Sequence, residues 1–140
     1  MNVMIDTNVI LDDLLNREPQ RENAGKIMEL VTSQLIFGYV TANTLTDIYY
    51  IIEKHLNARL AREATKKILR TLQIIAVDGD DCQRAIDSLM VDFEDALVVI
   101  CADKAELNYI VTNDRSFLAD PNLLVPAISP DEFLELFSPH

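Results

Sequence analysis

Val3-Met4-Ile5-Asp6-Thr7-Asn8-Val9-Ile10 is the stretch from which the fold can be read. Three β-type apolar residues run straight into a carboxylate, and a segment of helical period, near 8–15, begins at once. The same alternation recurs down the chain. Further β-type runs lie at Leu35–Val40, Gln73–Val77, Asn108–Thr112 and Val125–Ile128. Between them come helical segments near 20–33, 43–56, 59–71, 80–90 and 93–106. A last one, Asp131–Phe137, follows Pro130, whose fixed φ suits a first helical turn. Strands separated by helices need crossover connections, so the pattern predicts an α/β fold: a small, mostly parallel β-sheet flanked by α-helices on both faces. Pro126 has no N–H for a ladder, which predicts a short last strand at a sheet edge. Strand order is not legible in the pattern.

The chain is 140 residues long and 49% apolar, enough for one domain spanning 1–140 with a core of its own. Cys82 and Cys101 are the only cysteines, too few for a disulfide framework, so a reducing, cytoplasmic setting is expected. Asp6 interrupts the N-terminal segment where a secretory signal would carry its apolar run. The densest apolar run, Ala96 to Ala102, is far short of the ~20 residues of a membrane span.

The net charge of −11 is unevenly spread. Residues 1–70 hold nine basic and nine acidic residues, whereas 71–140 hold three and fourteen. A uniformly acidic protein would repel nucleic acid. Here a basic segment survives, with Lys54, Arg59, Arg62, Lys66, Lys67 and Arg70 interrupted by Glu63 alone. Arg59, Arg62, Lys66 and Arg70 follow steps of three and four, so they share one helical face opposite Leu60, Ala64, Ile68 and Leu72. Such a stripe is either a solvated surface or an RNA-backbone contact.

Ligands of open parallel sheets gather beyond the carboxyl ends of the strands. Asp6 follows Val3-Met4-Ile5 directly, and Asp114 follows Tyr109-Ile110-Val111-Thr112 in the same manner. Each could simply cap the next helix; together they suggest a metal or phosphate-chemistry site. Asp92 and Asp95 open an otherwise apolar helix and share a face that continues as Val99 and Ala102. Asp92-x-x-Asp95 also reads as a capping arrangement, and acids in a first turn offset the helix dipole, which accounts for Glu94. Two carboxylates held near a core and near each other are costly without a cation between them. Asp47 lies in the first turns of the helix after Leu35–Val40, where Thr44-x-x-Asp47 also reads as a capping box with Asp in place of Glu.

Other chemistries lack their residues. Gly25, Gly38 and Gly79 are scattered, so no phosphate-cradling loop exists. His55 and His140 are the only imidazoles, and no Cys/His spacing suits zinc. No Gly-x-Ser-x-Gly elbow is present. Oxygen ligands alone favour Mg²⁺ or Mn²⁺.

Met4-Ile5-Asp6-Thr7-Asn8, Asp92-Phe93-Glu94-Asp95-Ala96-Leu97 and Ile110-Val111-Thr112-Asn113-Asp114-Arg115-Ser116-Phe117, in this order and spacing, resemble the acidic motifs of PIN-domain ribonucleases, especially the VapC-like toxins of toxin–antitoxin pairs. The resemblance implies an endoribonuclease whose catalytic carboxylates are Asp6, Asp47, Asp95 and Asp114. Asp6, Asp95 and Asp114, with Asp92 nearby, would surround Mg²⁺ or Mn²⁺. It also implies an RNA substrate, a small antitoxin partner whose inserted segment masks the acidic pocket, and a homodimer. The family's second acid is usually Glu, and Asp47 is one methylene shorter. Thr7 and Thr112 could orient a carboxylate, and Asn113 is either a turn residue or a ligand contact. Two rival readings are a Mg²⁺-dependent phosphatase or receiver-type domain, which would want a late lysine after a strand where Lys104 falls in a helix, and a non-catalytic PIN-like binding module.

Overall fold

A computed structural model describes residues 1–137. The chain runs β1 (Asn2–Ile5), α1 (Thr7–Leu14), α2 (Arg21–Thr32), β2 (Phe37–Thr41), α3 (Ala42–His55), α4 (Ala58–Thr71) and β3 (Gln73–Ile75). It continues through α5 (Gly79–Ile86), α6 (Phe93–Lys104), β4 (Tyr109–Val111), α7 (Arg115–Leu118), β5 (Ala127–Ile128) and α8 (Pro130–Glu135). The strands form one sheet in the order β3-β2-β1-β4-β5, and every pairing is parallel. β5 is short and at the edge, as Pro126 requires. His140 and the two residues before it lie outside the described residues.

The period-two alternation of the strands sorts their side chains between two cores. Val3 and Ile5 of β1 pack with Val111 and Ile128 on the face covered by α1 to α4 and α8. Met4 and Ile110 point the other way, onto Val98, Val99 and Ala102 of α6 and Phe117 of α7. With both faces covered, a strand reads as an unbroken apolar run, as Val3-Met4-Ile5 does. Every residue of α6 from Ala96 to Ala102 is buried. One side meets the sheet, and Ala96, Leu97 and Ile100 meet Ala85 of α5. A helix enclosed in this way is apolar all round.

The departures from the sequence pattern have local causes. α5 stops at Ile86, short of the expected 90, because Ser88 turns its hydroxyl back onto the Ala85 carbonyl at 2.8 Å. The apolar residues that extended the pattern, Leu89 and Val91, face solvent. β2 starts at Phe37 because α2 closes on Gln34 at φ 61°, with Leu35 N–H donating to the Leu30 carbonyl at 3.0 Å. This Schellman closure recurs where α1 ends at Asn16 and α6 at Glu106, without a glycine at any of the three. α7 was not expected, since a single turn is too short to show a period. α3 begins at Ala42 with Thr41 as its cap, so Thr44-x-x-Asp47 is not a capping box.

Lys104 anchors the far end of α6. Its ammonium donates to Asp81 Oδ2 at 2.5 Å and to the Ala76 carbonyl at 2.8 Å. Asp81 is buried and closes a reciprocal capping box with Asp78. The hydrogen bond from Lys104 holds the Asp81 carboxyl below its usual range. A depressed carboxylate contributes stability above the unfolded pKa and loses it as pH falls through the folded one. Lys104→Met leaves that charge unpaired and should cost roughly 2 kcal/mol at pH 7, discounted because the lysine is partly in water. Urea unfolding should show the deficit shrinking as pH falls below about 4; a deficit constant with pH would rule out this ion pair as its source.

Candidate active site

The chain leaves β1 for β2 and β3 on one side, then crosses back through α5 and α6 to β4 on the other. The crevice of an open parallel sheet forms at such a reversal, here above β1 and β4. Ile5 pairs with Val111, and Asp6 N–H donates to the Val111 carbonyl at 2.9 Å, so Asp6 stands level with Thr112. Asp6 also caps α1, and its carboxylate is held on three sides. Oδ1 accepts the Thr7 N–H at 2.9 Å, and Oδ2 accepts the Thr112 hydroxyl at 2.7 Å and the Asn8 amide at 3.2 Å. The Thr112 oxygen in turn accepts the Asp114 N–H at 3.1 Å. Asp114 caps α7 through Ser116 N–H at 2.9 Å and Phe117 N–H at 3.3 Å. Asp92 caps α6 by accepting the Asp95 N–H at 2.9 Å, which leaves Asp95 in the first turn. Asp47, in the second turn of α3, has no capping role.

Asp6, Asp47, Asp95 and Asp114 line one cavity of about 520 Å³, together with Glu94. Thr7, Asn8, Arg17 and Tyr50 complete much of its wall. Asp92 is exposed and does not line the cavity, though its charge reaches Asp95. Arg59, Arg62, Lys66 and Arg70 are exposed on α4 and do not line it either. Arg59 pairs with Glu63 at 3.3 Å, while the other three make no ion pair among the described residues. Two residues of the wall, Glu94 and Arg17, carry little signal in the sequence. Glu94 reads in sequence as a dipole-compensating acid, and the structure places it on the cavity wall. Arg17 had one local signal, Asn16 directly before it, a residue type suited to the left-handed closure of α1.

The field in this crevice is strongly negative. Burial pushes the Asp6 carboxyl up; hydrogen bonds from Thr112 and Thr7 oppose that, and the Asp114 charge adds to it. Asp95 is pushed up to about 7, first by burial and then by the charges of Asp92, Asp6, Asp114 and Glu94. Glu94 is raised by burial, then by Asp47, Asp92 and Asp6. No group of three or more His, Cys, Asp or Glu among the described residues stands as a ready-made metal site. The donor chemistry nevertheless fits a hard divalent cation: five carboxylates line the cavity, with neither Cys nor His.

A family model described as PIN domain matches residues 2–116. Ribonuclease VapC1 of Aquifex aeolicus (strain VF5) is 25% identical over 138 residues, covering 95% of this chain and 93% of that protein. The solved structure of Mycobacterium tuberculosis VapC20, described as a sarcin–ricin loop cleaving toxin, is similar with a TM-score of 0.69 at 16% identity, over 88% of this chain and 98% of that one. A toxin–antitoxin complex from Klebsiella pneumoniae gives a TM-score of 0.64 at 20% identity, over 91% and 97%. At such identities the two structures speak to the fold alone.

The raised Asp95 pKa carries a sign. Between the unfolded value near 4 and the folded value of about 7, the folded state binds more protons, so stability falls as pH rises through that window. Asp95→Asn removes the penalty and should melt a few degrees above the wild-type protein at pH 8 in chelator, with about 3 °C for each kcal/mol relieved. The gap should close as pH approaches 4. Superimposable melts at pH 8 would mean the carboxylates do not crowd one another.

Proposed function

The chain belongs to the PIN-domain family, and from that membership we propose that it is a metal-dependent endoribonuclease hydrolysing RNA phosphodiesters at the Asp6–Asp95 cavity. The observation that carries this reading is the gathering of carboxylates from beyond three strand ends and from the start of α6 into one cavity, where neighbouring charges add to burial in raising Asp6, Glu94 and Asp95. Such an arrangement destabilises the protein alone, and a cation relieves it. Asp6, Asp95 and Asp114 would hold Mg²⁺ or Mn²⁺, with Asp47 and Glu94 at the rim. Asp92 caps α6 outside the cavity and contributes through its charge on Asp95. When bound, the ion lowers the pKa of a water and offsets charge on a non-bridging phosphate oxygen. The chain's own part is orientation: the Thr112 hydroxyl and Thr7 N–H fix the Asp6 carboxylate, and the Asp92 cap fixes the turn that presents Asp95.

The names of these relatives support extending the proposal to the toxin of a toxin–antitoxin pair; its action in the cytoplasm as a homodimer, silenced by a small antitoxin whose segment covers the cavity, is proposed from the resemblance of its motifs alone. No described helix is long and apolar enough to cross a membrane. Exposed Ile86, Leu89, Val91 and Leu124 offer an apolar surface of the kind protein partners cover.

Purified protein should cleave RNAs from a panel in Mn²⁺, and Asp6→Asn or Asp95→Asn should lower the rate at least a hundredfold with the fold retained. Wild-type cleavage by Asp95→Asn would sink the assignment; binding without cleavage by the wild type would favour a non-catalytic module. Mn²⁺ at a hundredfold excess over its dissociation constant should add about 3 kcal/mol of stability by mass action, and less to Asp6→Asn. Equal shifts in both proteins would place the ion elsewhere.

The stripe Arg59, Arg62, Lys66 and Arg70 is proposed to follow the RNA backbone. Arg62→Gln with Lys66→Gln should weaken binding across sequences, lower the log–log salt slope by about 0.7 per lost contact, and spare turnover at saturation. Unchanged affinity and slope would return the stripe to a solvated face.

A further inference from the structure

Arg17 is the one lysine or arginine lining the carboxylate cavity. It also lines a second, polar cavity of about 440 Å³ that shares Asn8 and Asp114 with the first, so the two are contiguous across its guanidinium. The arginine is not loose. After α1, Asn16 adopts φ 53° and Arg17 N–H donates to the Asp12 carbonyl at 3.0 Å, which folds the chain back over the helix end. Arg17 Nε then meets Asp12 Oδ1 at 3.0 Å, and a terminal N–H donates to the Asn8 carbonyl at 3.3 Å. Asp12 is buried and fixed from its other oxygen by the Asn113 amide at 2.8 Å. A guanidinium has five N–H donors, and these contacts use two of them. The ion pair with Asp12 leaves the side chain 44% exposed, and Arg17 lines both cavities.

We propose that Arg17 and the polar cavity form a phosphate subsite that takes the RNA phosphodiester next to the one being cleaved. This rests on the ribonuclease reading of the carboxylate cavity. An anionic strand entering that cavity meets five carboxylates, and one oriented cation beside them sets which phosphate is excluded from the acids and which is drawn in. Asn8, Gln20 and Asn113 supply neutral hydrogen-bonding partners in the second cavity, and of its three carboxylates Asp12 is paired with Arg17, Asp114 caps α7 and Glu18 faces Arg21 at 3.9 Å. Asp12 and Asn113 are positioning residues: they act through Arg17.

The test is binding of a fluorescent single-stranded oligoribonucleotide at several salt concentrations, in the Asp95→Asn background, with a melt recorded for each protein. Arg17→Gln should lower affinity about tenfold and reduce the log–log salt slope by about 0.7, the loss of one phosphate contact. Arg17→Lys keeps the charge and should keep the slope. Asp12→Asn frees the guanidinium without removing it, so affinity should fall while the slope stays. Arg17→Gln with the parent's affinity and slope, in a protein that melts cooperatively, would overturn the subsite and leave Arg17 as the counterion of Asp12. A wild type that cleaves no RNA, with a parent that binds none, would remove the ribonuclease reading and the subsite together; Asp95-dependent cleavage with an unaltered Arg17→Gln removes the subsite alone.

Discussion

The half-buried Asp6 carboxylate at the end of the central strand is the constraint around which this protein is arranged. A charge drawn partly from water needs partners, and Asp6 has the hydroxyl of Thr112 just past β4, and the Thr7 N–H and Asn8 side-chain amide from α1. Each partner is fixed by something else: Thr112 by the β1–β4 register, and Asn8 by Asn113 N–H and Arg17. The hydrogen bonds lower what burial raises, yet burial prevails. The crevice therefore keeps an electrostatic tension that a divalent ion is suited to relieve.

α6 delivers the other half of that tension. Its Ala96–Ala102 run is enclosed between the sheet and α5, which leaves it no freedom to slide, and Lys104 ties its far end to Asp81 and Ala76. Asp95 and Glu94 are thus carried into the negative field by a helix whose position is set by apolar packing. The stability of the core maintains a geometry that the carboxylates alone would disperse. Local frustration at a site supported by a consistent surrounding structure is the usual signature of function.

Cations are distributed in a matching way. The exposed stripe on α4 lies outside the cavity, and the one cation on its wall, Arg17, is clamped by a buried acid. A free cation in that position could collapse onto Asp6 or Asp114. Asp12 ties the guanidinium down at 3.0 Å and is itself held by the Asn113 amide at 2.8 Å.

The sequence by itself determined the architecture and the main acids. Alternating apolar runs and helical periods imply crossovers, and crossovers imply a parallel sheet, because periodicity is a local property of the chain. Asp6 and Asp114 were legible because they follow strands directly, and strand ends fix the height of the residues beyond them. Asp47 and Asp95 were legible from their places at helix beginnings. Strand order, the single-turn α7 and the solvent-facing Leu89 and Val91 were not, since none leaves a periodic trace that distinguishes it. The assignments of Asp92 to a cap, Glu94 to the cavity wall and Arg17 to its rim were tertiary decisions. A carboxylate that caps and one that faces a cavity share the same sequence spacing, and only the packed position of α6 shows that Asp92 turns to its cap while Glu94 and Asp95 line the cavity. Arg17 is placed by a left-handed turn and a buried partner that converge only once α1 has packed, so its meaning lies in the fold rather than in its neighbours along the chain.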